Sequence, residues 1–398
     1  MKTPLIGYAP LHDDPLVGPL LDLADDPSPG NARRVAGALV TLDTSVPFSV
    51  ARRVLAATGP LPDAARTGLG ERPQRVLARE LGRLGRLAHQ DLRAALDVHG
   101  LGDYVPDQDE LPASAIALPR AAADLSARMA AGGGWDALAG AVADFHLREG
   151  VGALAVHRVL RVVGGVPGGI AHPDVVREED LVGGGEIRGR LASVLRAFVA
   201  GAPPVDVLLY GPPGTGKSTT VHALASEFAD DGLRLVQIDR GEMSTLGAVM
   251  DGLRGAGPRC VIVLDDLVFD DRERTDRELR AMLEGDASAR PANVAVWATS
   301  NRMRLIHETR SEREDDLEEH LGRGERSALA SRFGLRIGFG ALTVEQFLDV
   351  ARSLVVRRLG TLPESFESRA RRFAVDRGLT PRSARQFADL CVDGDVAD

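Results

Sequence analysis

The stretch Gly211-Pro212-Pro213-Gly214-Thr215-Gly216-Lys217-Ser218 narrows the folds open to this chain more than any other. Gly211, Gly214 and Gly216 permit backbone turns that a side chain resists. Successive N–H groups can then point into one concavity, which suits phosphate oxygens. Lys217 adds a mobile positive charge, and Ser218 a hydroxyl that can ligate a cation. The flanks complete the pattern. Val205 to Tyr210 is a short apolar run of buried-strand character. From Thr219 to Phe228, Val221, Leu224, Ala225 and Phe228 recur on one helical face. A strand, a glycine-rich loop and a helix in that order place an anion at the helix N-terminus.

Further strand-like runs follow at Leu233–Asp239, Arg259–Leu264, Asn293–Ala298 and, more weakly, Leu335–Phe339. They alternate with helical stretches, which predicts an α/β class with a doubly wound parallel sheet. The run Cys260 to Leu264 ends in Asp265-Asp266, about fifty residues after the loop. A strand ending at the same sheet edge sets Asp265 beside the loop to hold a cation. Asp266 is then a base for an attacking water. Val294 to Ala298 runs into Thr299-Ser300-Asn301. These residues either form a turn or reach toward a terminal phosphate. Arg332, before Phe333 and Gly334, and Arg382, after Thr380-Pro381, each read as surface charge or as a phosphate-directed donor.

The part before Gly169 reads as mainly helical. Leu77, Leu81, Leu84, Leu87, Leu92 and Leu96 define a helix over Pro73 to His99. Others are expected over 31–42, 47–57, 119–131, 135–148 and 152–163. Gly164-Gly165-Val166-Pro167-Gly168-Gly169 reads as a linker. Beyond Thr343, helices are expected over 344–358, 363–376 and 381–392. The resulting division is 1–163 (helical N-terminal domain), 164–177 (linker), 178–340 (α/β core) and 341–398 (helical lid).

Composition excludes some classes. The chain has 398 residues, two cysteines far apart and a net charge of −9. No cysteine or histidine spacing marks a metal or redox site, and two cysteines fit a reducing cytoplasm. No apolar run is long enough for a membrane span, and the first residues do not read as a signal peptide. Whole-chain charge does not point to nucleic acid. A basic face among the arginines of the terminal helices keeps that reading open beside one of solvated surface. The charged stretch Glu308 to Arg326 reads as a solvated helix or loop, or as an insertion that touches a neighbour.

Taken in order, these elements resemble the AAA+ ATPase family, and within it a bacterial group of predicted ATPases of unknown function. The resemblance covers about residues 174–392. It identifies Gly211–Ser218, continuing into Thr219, as Walker A and Val261–Asp266 as Walker B. Asn301 matches sensor 1, Arg332 the arginine finger and Arg382 sensor 2. Glu179 to Gly183 resembles the family's entry segment, with Leu181 and Val182 against adenine. The resemblance implies ATP and Mg2+ as cofactors, with Ser218 and Asp265 as the magnesium ligands. Lys217, Asp266, Asn301, Arg332 and Arg382 are the implied catalytic set. It also implies a ring or arc of copies, most often a hexamer, because a finger acts on a neighbour's nucleotide.

One departure stands out. The family's Walker B usually ends Asp-Glu, and this chain ends Asp265-Asp266. The shorter side chain predicts slow hydrolysis, because about 1 Å of misplacement can cost roughly a hundredfold. The expected function is an ATPase that couples ATP turnover to remodelling of a protein or nucleic-acid partner. The alternative is a slowly hydrolysing, ATP-gated loader or switch whose N-terminal domain recruits a partner. A small-molecule kinase fits less well, since no acceptor site is visible.

Overall fold

The computed structural model describes residues 5–40, 42, 44–106, 118–132, 134–170, 173, 185–267, 290–301, 332–363 and 365–393. The chain divides into two units. One comprises Met1–Leu160, Pro167–Pro173 and Gly255–Arg259, and the other Arg161–Val166, Asp174–Arg254 and Cys260–Asp398.

The first unit is built from α1 (Val17–Asp25), α2 (Pro29–Leu39), α3 (Val46–Leu55), α4 (Pro60–Ala65), α5 (Glu71–Ala88), α6 (Leu92–Asp97), α7 (Arg120–Ala130), α8 (Ala139–Glu149) and α9 (Ala153–Val156). Their apolar faces share one core that includes Val17, Leu20, Val54, Leu81, Leu84 and Trp135. The buried indole of Trp135 donates to Met129 O at 2.7 Å. Glu80 on α5 is buried, and its carboxylate accepts from the backbone N–H groups of Ile6, Gly7 and Tyr8 at 2.9–3.1 Å. Those bonds offset the cost of burying a charge.

The helix expected over 73–99 is two helices. Asp91 accepts from Ala94 N at 2.9 Å and caps α6, so the chain restarts there. The helix expected over 152–163 is also corrected. Only α9 is helical, and Val159–Val163 is strand β1. β-Branched residues favour the pleated surface. The stretch 164–169, expected as linker, is a hairpin turn and strand β2 (Val166–Gly169). Gly164 and Gly165 both have positive φ, 59° and 79°, which is the two-residue turn that joins twisted strands. α1 and α4 have no counterpart in the sequence expectation.

The second unit carries β3 (Val207–Tyr210), β4 (Leu233–Ile238), β5 (Arg259–Leu264), β6 (Val294–Ser300) and β7 (Leu335–Gly338). The seven strands run in the order β2-β1-β4-β5-β6-β3-β7. β3 is parallel to both β6 and β7, and β5 is parallel to β6. All of β6 is buried, as expected for a central parallel strand. α10 (Gly185–Val199), α11 (Lys217–Glu227) and α12 (Leu246–Leu253) belong to the same unit. At the strand starts, Arg290 grips the buried carboxylate of Asp206 with both terminal nitrogens, and Val296 N donates to the same carboxylate at 2.8 Å. This ties the entry of β3 to β6.

The chain ends in α13 (Val344–Leu359), α14 (Phe366–Arg377) and α15 (Pro381–Asp393). Thr343 and Gln346 form a reciprocal cap at the start of α13. Phe347, Val355, Phe366 and Phe387 meet in a small core of their own.

Candidate functional site

Register explains why distant residues meet. In β5 and β6, Leu264 lies opposite Ala298. One residue further, Asp265 comes beside Thr299. In β3 and β6, Tyr210 lies opposite Ser300, so Gly211 comes beside Asn301, and Gly211 N donates to Ser300 O at 3.1 Å. The end of β6 therefore lies between the glycine loop and the paired aspartates. This is the carboxyl edge of the sheet, where ligands of open α/β folds bind.

The loop's glycines are used as the sequence requires. Gly211 has φ 146°, and a Cβ there would lie 2.0 Å from Phe339 O. Gly214 and Gly216 have φ 80° and 92°. A Cβ on Gly214 would come 3.3 Å from Arg382 Cβ, so α15 starts directly over the loop. Arg382 N donates to Gly214 O at 3.3 Å.

Lys217 is buried at the start of α11. Its ammonium donates to Gly211 O and Pro212 O at 2.9 Å each and to Asn301 Oδ1 at 2.8 Å. All its N–H donors are thereby used. Burial lowers its pKa from the ordinary lysine value. The carboxylates of Asp266 and Asp265 push back, and the Arg382 charge lowers it further.

Ser218 Oγ donates to Asp265 Oδ1 at 2.8 Å. Thr299 Oγ1 donates to the same oxygen at 3.1 Å and accepts the N–H of Asp266 at 2.9 Å. The amide nitrogen of Asn301 donates to Asp266 Oδ1. Asp266 has φ 56°, the single positive value outside glycine among the described residues. That conformation costs about 1–2 kcal/mol.

These groups line a cavity of about 910 Å³. Pro213 to Thr219, Asp265, Asp266, Asn301 and Arg382 all contribute to its wall, so most of the sequence-expected residues share one site. Gly211 and Pro212 reach it through carbonyls that hold Lys217. Arg332 is exposed and does not line the cavity. Leu181, Val182 and the acidic stretch lie outside the described residues.

Several wall residues were not singled out from the sequence. Arg385 lies one turn beyond Arg382 on α15, a spacing that puts both on one face. Ile187, Val350 and Leu354 add apolar wall, and nothing in their local pattern distinguishes them from core positions. The dual bonding of Thr299 was also missed. Its place two residues before Asn301 on a strand, hence on the same face, was the available signal.

The donor set fits magnesium. A hydroxyl and a carboxylate oxygen 2.8 Å apart are hard oxygen ligands of the type this ion takes, with water and phosphate completing the shell. Among the described residues, no group of three or more His, Cys, Asp and Glu side chains forms another metal site. Nor is any helix there long and apolar enough to cross a membrane.

A glycine-rich loop after a parallel strand, paired acids on a nearby strand and a helical C-terminal segment over the loop define a nucleotide-binding α/β class. Residues 156–394 match the family described as "Protein of unknown function (DUF815)". The chain belongs to that family, and to the AAA+ ATPase superfamily.

Curated relatives match over shorter stretches. The replication factor C large subunit of Methanococcus maripaludis is 32% identical over 92 residues, covering 22% of this chain and 19% of that protein. The Thermofilum pendens protein of the same name is 36% identical over 81 residues, 20% of this chain and 19% of its own length. The ATPase family gene 2 protein of Schizosaccharomyces pombe is 34% identical over 122 residues, 27% of this chain and 15% of that one. The chain thus spans less than a fifth of these relatives' length. Among solved structures, the Thermotoga maritima RuvB Holliday junction branch migration motor aligns at 22% identity. That alignment covers 55% of this chain and 64% of that one, with a TM-score of 0.38.

Proposed function

We propose that this chain binds Mg-ATP on the loop Gly211–Thr219 and hydrolyses it to ADP and phosphate, coupling the cycle to work on a macromolecular partner. The observation that carries this reading is the continuous chain Lys217–Asn301–Asp266 beside the pair Ser218–Asp265. Backbone N–H groups of the loop and the start of α11 receive the phosphates. Lys217 exchanges carbonyl partners for phosphate oxygens. Ser218 and Asp265 hold magnesium, which supplies neutralising charge on the phosphates when bound. An Asp266 carboxylate oxygen accepts the proton of the attacking water. Arg382 and Arg385 add positive charge from α15, and closure of these helices over the loop makes the cycle a conformational one.

Arg332 is proposed to act on a neighbour's nucleotide, since it is exposed and away from its own chain's cavity. That role needs a homo-oligomer, a ring or arc. A cytoplasmic location follows from the same reading. The partner is a protein or a nucleic acid. Similarity to replication factor C large subunits favours a nucleic-acid-associated partner, within a fold that hosts many roles.

A second reading is favoured by one observation. Asp266 is short and is held by Asn301. A protein built this way hydrolyses slowly and serves as an ATP-gated switch, with the helical first unit recruiting the partner.

Titration with a fluorescent ATP analogue and magnesium tests the shared claim. Wild-type protein binds, and Lys217→Ala binds at least about tenfold more weakly, since a hydrogen bond to a charged group contributes about 1.5–3 kcal/mol. Equal binding by both proteins contradicts the proposal.

A further inference from the structure

We propose that Thr299 is the positioning residue for both aspartates of the site, rather than a residue that senses phosphate itself. This inference rests on the Mg-ATP reading above. One hydroxyl makes both contacts. Thr299 Oγ1 donates its hydrogen to Asp265 Oδ1 at 3.1 Å and accepts the N–H of Asp266 at 2.9 Å. A hydroxyl has one donor and can accept through its lone pairs. The hydrogen is committed to Asp265, so the group is not free to donate to a phosphate oxygen.

The two contacts have different consequences. Asp265 Oδ1 receives Ser218 Oγ and Thr299 Oγ1 together. The second bond fixes which way the carboxylate turns in the cavity wall. Residues that orient a metal ligand from behind shift metal affinity or activity by about 10–100-fold when removed. At Asp266 the bond holds a left-handed backbone that an aspartate adopts only at some cost. Without it the backbone relaxes and swings the carboxylate away from its present place beside Asn301.

The surroundings make the arrangement rigid. Thr299 is buried. Its backbone O accepts from Leu267 N at 2.8 Å, and Ser300 Oγ donates to Leu267 O at 2.9 Å. The end of β6 thus staples the turn Asp265-Asp266-Leu267 from both sides of the strand. Among the described residues, Thr299 is the one whose side chain bonds to both acids, Ser218 reaching Asp265 alone and Asn301 Asp266 alone. A β-branched residue also suits a central strand, so valine keeps shape and packing while deleting the hydroxyl.

Thr299→Val and Thr299→Ser are compared with wild-type full-length protein by titrating magnesium at fixed ATP analogue and reading binding. Steady-state phosphate release and thermal unfolding are followed in parallel. Thr299→Val should need about tenfold or more magnesium for half-maximal binding. Its turnover should fall by a similar factor while KM for ATP changes little. Thr299→Ser should return both to near wild type. A merely structural role predicts losses that track the folded fraction, and the unfolding curves separate that case. The inference is overturned if Thr299→Val titrates magnesium like wild type, or if Thr299→Ser is as impaired as Thr299→Val. Absence of ATP binding by the wild-type chain overturns the parent reading, and this inference with it. Wild-type binding with an unaffected Thr299→Val variant sinks this inference alone.

Discussion

The side-chain amide of Asn301 donates to the Asp266 carboxylate, while its oxygen accepts from Lys217 at 2.8 Å. One side chain therefore links the base proposed for hydrolysis to the lysine proposed for phosphate. Asn301→Ala removes both bonds at once. Turnover is expected to fall about 10–100-fold, the worth of a hydrogen bond to a charged group. KM for ATP should change much less, because the loop's backbone donors are untouched. Steady-state kinetics separate the two. A large rise in KM with unchanged kcat would place Asn301 in ground-state binding instead.

Gly211 tests how closely the loop is tied to β7. Its missing Cβ would sit 2.0 Å from Phe339 O, and that residue is fixed by Phe339 N donating to Tyr210 O at 2.7 Å. Backbone on backbone leaves little room to give. Gly211→Ala should lower stability by about 2–3 kcal/mol. At Gly216, no atom of the described residues lies within 4 Å of a Cβ, so Gly216→Ala should cost only the strain of its positive φ, about 1–2 kcal/mol. Urea unfolding of the two variants measures the difference.

The proposed oligomer is tested by mixing. Lys217→Ala protein lacks a working loop but keeps Arg332, and Arg332→Ala protein has the reverse defect. If Arg332 acts across an interface, the mixture should recover part of the turnover that each variant lacks. Turnover of the mixture equal to the sum of the separate proteins counts against a finger acting between subunits.

Burial in α8 makes His146 a pH-dependent element of the first unit. Its Nδ1–H donates to Gly150 O at 3.1 Å, and its Nε2 has no partner among the described residues. Burial is the largest influence and lowers the pKa to about 4, against weaker raising effects of the Gly150 bond and Asp63. The unfolded chain takes up this proton near pH 6.5. Between about 6.5 and 4 the unfolded state binds more protons than the folded one, so stability falls as pH falls through that window. The loss is on the order of 3 kcal/mol. His146→Asn should flatten this part of the stability–pH curve, as measured by urea unfolding across the window.

Much of the site was legible because its chemistry demands rare local patterns. Gly211, Lys217 and Ser218 announce themselves by spacing, and Asp265-Asp266 by following an apolar strand. That Asp265 lies beside the loop was legible too, from its place at the end of a parallel strand. The bonds that join the groups were not, because Thr299 and Asn301 reach both sides only through β6 lying between β3 and β5, a fact of sheet order rather than of any short stretch. In the helical part, leucine periodicity ran across His89 to Asp91 and concealed the cap that restarts the helix. The glycines of 164–165 signalled flexibility by composition, yet their positive φ values make a tight hairpin. Arg385 was hidden by the same ambiguity that attends any arginine on an exposed helix.

The most direct test follows one round of reaction. Protein in excess over radiolabelled ATP is followed for phosphate formation, using wild type and Asp266→Asn, with magnesium present and with magnesium chelated. Wild type with magnesium should convert its bound ATP to ADP and phosphate, slowly but to completion. Asp266→Asn should hold ATP bound and convert it at least about a hundredfold more slowly. Chelation should abolish conversion in both. Equal rates for wild type and Asp266→Asn, or conversion that ignores magnesium, would contradict hydrolysis at this site.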